Sequence, residues 1–72
     1  MNAVMLLKKV GSSGLTLTQV SKRLGLSRQS LYLKLKGKRE FRAGEIKDIK
    51  DLLSLEPQEL NDIFFEGDAY AD

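Results

Sequence analysis

Apolar residues recur at helical spacing along most of this chain, and no segment shows the alternation of a strand. The most informative run is Thr16 to Gly37, TLTQVSKRLGLSRQSLYLKLKG. Leu17, Val20, Ser21 and Leu24 fall at i, i+3, i+4 and i+7, one face of a helix over Leu17 to Leu24. Thr16 is a good N-cap, and Gln19 three residues on completes a capping box. Gly25 follows where a left-handed residue is wanted, and Leu26 plugs the corner. Ser27 caps a second helix, Arg28 to Lys36, which Gly37 ends. The small side chain of Ser21 lets the two helices approach closely.

Three more helices are predicted around this pair. The first runs from about Asn2 to Val10, with Ala3, Leu6, Leu7 and Val10 as its apolar stripe and Val4 and Met5 off it. Gly11, Ser12, Ser13 and Gly14 read as a flexible connection. That GSSG string lacks the Lys-Ser/Thr of a phosphate-cradling loop and follows no strand. After Gly37 comes a basic loop, Lys38 to Arg42, whose one large apolar residue, Phe41, is expected to anchor it to the core. A helix from about Ala43 to Leu53 buries Ile46, Ile49 and Leu53, with Leu52 at the margin. On its surface Lys47 and Asp51 form an i, i+4 pair worth about 0.3 kcal/mol. Leu55 docks the next connection, and Pro57, at a first helical position, starts a last helix to about Phe65. Leu60, Ile63 and Phe64 form its apolar face, and Phe65 points elsewhere. The expected fold is all-α: one compact five-helix domain over residues 1–66, with Leu6, Val20, Leu24, Leu31, Leu35, Ile46, Ile49, Leu53, Leu60 and Ile63 in a single core. Residues 67–72, at the acidic end of the chain, read as a disordered tail.

Composition narrows the function. A 72-residue chain is one small domain. It has neither cysteine nor histidine, so disulfides, Cys-based zinc sites and the usual general base are not available. The carboxylates Asp48, Asp51, Glu59 and Asp62 take helix-surface positions, with no apolar setting to tune one for acid–base work. Neither an enzyme nor a cofactor or metal site is expected. No apolar run approaches the roughly 20 residues needed to span a bilayer, and VMLL is cut short by Lys8 and Lys9, so a cytoplasmic protein is expected.

The net charge of +2 conceals a division. Residues 1–39 hold nine Lys or Arg and no acid; residues 40–72 hold three basic residues and all ten acids. The basic half contains the paired helices, which suits a face for phosphate with an acidic far side. Segregated charge also serves solubility and intramolecular attraction.

Two helices joined by a short glycine-containing turn form a helix-turn-helix. On a wheel of about 100° per residue, Leu31 and Leu35 of the second helix face the core. Arg28, Gln29, Tyr32, Leu33 and Lys36 occupy the other arc. Arg suits the O6 and N7 of guanine, and Gln both donates to and accepts from adenine. Tyr32 can bond a phosphate, cover a base edge, or simply lean on Lys36. Leu33 offers no hydrogen bond; it suits a thymine methyl or a protein–protein contact. Lys34, Lys36, Lys38 and Arg39 surround the far end of the helix and read as phosphate contacts, with Ser27 and Ser30 as further donors. Lys22 and Arg23 fall at the edge of this surface.

The string GLTLTQVSKRLGLSRQSLYLKLKGKREF resembles the Cro/repressor-type helix-turn-helix of the lambda-repressor-like superfamily. The continuation to IFF is similar to small Cro-like phage regulators, so the likeness covers about residues 3 to 65. It implies a transcriptional regulator of a phage genetic switch, bound to double-stranded operator DNA, with base-reading positions at Arg28, Gln29 and Leu33. It also implies a weak homodimer on palindromic sites. Members often carry Gln at the start of the first motif helix, where this chain has Leu17. That departure, with Tyr32 and Leu33, leaves a second reading open: a modulator or antirepressor that binds a partner repressor through the same surface. Neither reading involves a membrane or a small-molecule substrate.

Overall fold

The computed structural model describes residues 1–65 and contains five α-helices: α1 (Ala3–Ser13), α2 (Leu17–Arg23), α3 (Arg28–Leu35), α4 (Ala43–Leu53) and α5 (Pro57–Phe64). The described residues contain no strand. The expected all-α, five-helix architecture is therefore the observed one. The tail expectation for residues 67–72 lies outside the described residues.

Local chemistry explains the boundaries. Asn2, placed inside the first helix from the sequence, instead caps it, its Oδ1 accepting from the Met5 N–H at 3.0 Å. The helix then runs three residues past Val10, through the expected flexible connection. The Ser12 and Ser13 hydroxyls donate back to the Lys8 and Val10 carbonyls at 2.9 and 2.6 Å, so these residues stay in the helix. Only Gly14, left-handed at φ 81°, stops it. The α2 capping box is present in both directions: Thr16 Oγ1 accepts from the Gln19 N–H at 3.2 Å, and Gln19 Oε1 accepts from the Thr16 N–H at 2.9 Å. Gly25 takes φ 69° in the turn, and nothing lies near the Cβ that any other residue would add. The requirement there is for backbone freedom and not for space. Ser54 is the one non-glycine residue with positive φ among those described, at 52°. That geometry costs about 1–2 kcal/mol and turns Leu55 inward to full burial.

The core holds Leu6, Val10, Val20, Leu24, Leu31, Ile49, Leu55, Ile63 and Phe64. Leu35, Ile46, Leu53 and Leu60 pack half-buried against it, so every expected core residue belongs to the one cluster. Ser21 is buried between the motif helices, its hydroxyl donating to the Thr18 carbonyl at 2.8 Å. Phe41 anchors its loop as expected, meeting Phe64 edge-on at 5.7 Å between ring centroids. Four side chains differ from expectation. Leu7 is 42% exposed, while Met5 packs against the core. The buried line of α1 thus runs Leu6–Val10 with Met5 beside it, a rotation of the wheel away from Leu7. Lys47 and Asp51 form no ion pair within 4 Å; the pairs among the described residues are Lys9–Glu59 and Lys34–Glu45.

The first and last helices are tied together. The Asn2 N–H donates to the Ile63 carbonyl at 2.6 Å, and Lys9 pairs with Glu59. α3 is exposed along one side, at Arg28, Gln29, Tyr32 and Lys36.

Candidate nucleic-acid interface

Ser27 organises the start of α3. Its Oγ accepts from the Ser30 N–H at 3.0 Å, which uses the hydroxyl as a cap acceptor and leaves its proton free to donate outward. Arg28 and Gln29 then stand exposed in the first turn, and Ser30 is half-buried. One turn on, Tyr32 is 56% exposed. The Lys36 ammonium sits over its ring, 4.8 Å from the centroid. Of the roles open to Tyr32, leaning on Lys36 is the one visible in this structure. The contact also holds the Lys36 charge on the open face of α3. Lys38 and Arg39 follow, both exposed, in the loop after the helix. Among the described residues Arg28, Lys36, Lys38 and Arg39 form no ion pair. Four cations and one amide therefore share the arc of α3 and the loop that extends it.

Lys34 does not join them. It is 6% exposed, its ammonium 2.5 Å from Glu45 Oε1 and 5.9 Å from the centroid of Phe41. The expected phosphate role is corrected by geometry: Leu31, Lys34 and Leu35 fall at i, i+3 and i+4, on the core side of the helix. That spacing is the signal that the charge of Lys34 obscured. Glu45 stands at the N3 position of α4, where it caps Arg42, but its pairing with Lys34 eleven residues away has no local signal. Arg23 also departs from the expected surface edge, lining an open hollow with Asp48, Asp51 and Leu52 on the α4 side. Lys9, paired with Glu59, belongs to the α1–α5 closure.

Leu17 packs against the core margin. It also lines a cleft of about 50 Å³ with Arg28, Leu31, Tyr32 and Leu35. Its apolar character is thus accounted for by packing within the chain. Leu33 is half-buried and is not part of the core cluster.

Two carboxylates carry shifted titrations. Burial pushes the Glu45 carboxyl up, but the Arg42 N–H, the Lys34 hydrogen bond and the charges of Lys34 and Arg42 outweigh it, leaving Glu45 below its ordinary 4.5. Glu59 is also lowered, by the Lys9 hydrogen bond first and then by the Glu56 N–H and the Lys9 charge, against a small desolvation penalty. A carboxyl lowered in the folded state binds fewer protons there than in the unfolded chain, so unfolding takes up protons in acid. The stabilisation is complete above about pH 4.5 and is lost as pH falls through the folded values. Thermal melts are expected to be flat from pH 7 to 5 and to fall below pH 4.5, with Glu45→Gln reducing the acid-dependent part.

A capped helix that offers Arg, Gln and unpaired cations to solvent, set across a tight turn from a supporting helix, defines a helix-turn-helix DNA-binding regulator. Comparison with protein families agrees. The model of the Cro/C1-type HTH DNA-binding domain matches residues 5–66, and the chain belongs to that family. Neither the comparison with curated proteins nor that with solved structures returns a match. Families of this kind are typically non-enzymatic. Among the described residues no helix is long and apolar enough to cross a membrane.

Proposed function

We propose that this protein is a sequence-specific transcriptional regulator that occupies operator DNA with α3 in the major groove. Arg28 and Gln29 read base edges, with Tyr32 and Leu33 beside them. Ser27, Ser30, Lys36, Lys38 and Arg39 hold phosphates. The observation that carries this reading is the exposure of Arg28, Gln29 and Lys36 along α3 and of Lys38 and Arg39 in the loop after it, none of the four cations being ion-paired among the described residues. The similarity to small phage regulators supports a phage genetic switch in a bacterial cytoplasm as its setting. It also supports a weak homodimer on palindromic half-sites about one helical turn apart.

One observation favours a second reading. Leu33 is half-buried yet lies outside the core cluster, and its neighbour in sequence Tyr32 is exposed, which leaves apolar surface for a contact to a partner repressor. Leu17, at the cleft behind Tyr32, would form the margin of that contact. Selection from a randomised duplex library, followed by titration against the enriched site and against the cognate repressor, separates the two. The DNA reading expects an enriched motif, with Leu33→Gln altering preference at one base pair and leaving non-specific binding intact. Absence of any enriched motif, together with repressor binding abolished by Leu33→Asp, would sink it in favour of the modulator.

A further inference from the structure

One carboxylate oxygen joins the recognition helix to the loop that follows it. Glu45 Oε1 accepts from the Lys34 ammonium at 2.5 Å and from the Arg42 backbone N–H at 2.9 Å. The near end of the loop is held by α3 itself, with the Gly37 and Lys38 N–H groups donating to the Lys34 and Leu33 carbonyls at 3.2 and 2.9 Å. The far end is held by Glu45, and Phe41 beneath lies against both Phe64 and the Lys34 ammonium. Lys38 and Arg39 therefore project from a loop pinned at both ends.

A buried ion pair is a poor source of net stability, because desolvation offsets most of its Coulomb gain. Specification of geometry is the better account of this one, since each partner also fixes a backbone segment. We infer that Lys34 and Glu45 are positioning residues for DNA binding: their buried pair sets the height of the Gly37–Arg42 loop against α3, and so aligns Lys38 and Arg39 with the phosphate backbone. This rests on the reading of α3 as the DNA-contacting helix. It assigns Lys34, by charge a phosphate ligand, a role in which it never touches DNA.

The inference opposes simple electrostatics in sign. Glu45→Ala removes a negative charge from a protein that binds a polyanion, together with the oxygen that accepts from Lys34 and from the Arg42 N–H, and it leaves the Lys34 ammonium free to reach a phosphate. Charge alone then predicts tighter binding with a steeper salt dependence. Loss of the brace predicts weaker binding, on the order of tenfold, with a shallower slope as Lys38 and Arg39 lose register.

The full chain is compared with Glu45→Ala and with Lys34→Met/Glu45→Met, which fills the same space without stranding a charge and is expected to remain folded by circular dichroism. Tryptic cleavage after Lys38 and Arg39 is measured without DNA, and affinity and salt slope are measured with it. In both variants the loop is expected to be cut several-fold faster, with affinity and slope reduced. Tighter binding by Glu45→Ala, or native cleavage and native affinity in the double variant, would overturn the inference. Should the native chain bind no DNA, the proposed function fails, and the cleavage rates alone decide whether the brace exists.

Discussion

Leu31→Ala is expected to lower stability by about 2–5 kcal/mol, the range for truncating a packed core leucine. Leu31 is 3% exposed and sits in the face of α3 that the core grips. Above it is the cleft of about 50 Å³ shared with Leu17, Arg28, Tyr32 and Leu35. Below it is an interior space of about 10 Å³ bounded by Leu6, Val20 and Ile49. Truncation would join the two and open the core to water along the recognition helix. A domain of this length has about 4–11 kcal/mol in total, so a loss in this range removes a large fraction of its stability. Urea denaturation followed by circular dichroism checks this. A midpoint unmoved by the substitution would remove Leu31 from the core and rotate α3 relative to its DNA face.

The second large effect concerns the division of labour on that face. Replacing Lys36, Lys38 and Arg39 by alanine is expected to weaken binding to all duplexes alike. The log–log salt slope should fall by about 0.9 for each phosphate that the variant no longer neutralises. Arg28→Ala and Gln29→Ala are expected to cost about 1–3 kcal/mol each on the preferred site and much less on random DNA, so that base preference relaxes. The geometry explains the asymmetry. Arg28 and Gln29 occupy the first turn, the end that enters the groove, while the three cations lie at the C-cap of the helix and beyond it. Anisotropy titrations on matched and scrambled duplexes across a salt series distinguish the outcomes. One uniform loss for all five substitutions would refute the separation of reading from positioning.

Much of this fold was legible because its signals are local. Thr16 and Gln19, Ser27, Gly25 and Pro57 each act within four residues, and the structure uses each where the sequence places it. Ser12 and Ser13 mislead for the same reason. Beside two glycines they look like a linker, and only their bonds back into the helix show otherwise. Leu7 misleads because a short stripe leaves the rotation of a helix free by a residue until a partner is present. Of the arc the wheel assigns, Arg28, Gln29, Tyr32 and Lys36 lie exposed and Leu33 is half-buried, while Lys38 and Arg39 are exposed in the loop beyond the helix. Lys34 was hidden by its charge: its position pointed inward and its chemistry outward, and a distant carboxylate decided between them.

The bond from Asn2 to the carbonyl of Ile63 has a consequence for synthesis. The helix-turn-helix occupies the middle of the chain, yet its supporting core needs Ile63 and Phe64 from the last helix and Leu6 and Val10 from the first. A nascent chain that has made α2 and α3 still lacks much of the surface against which they pack. Below about 40 residues a core seldom stands alone. The core behind α3 is therefore complete only once α5 has been made and closes on α1. A fragment ending before Pro57 would carry both motif helices and still lack Leu60, Ile63 and Phe64, which close the core behind them.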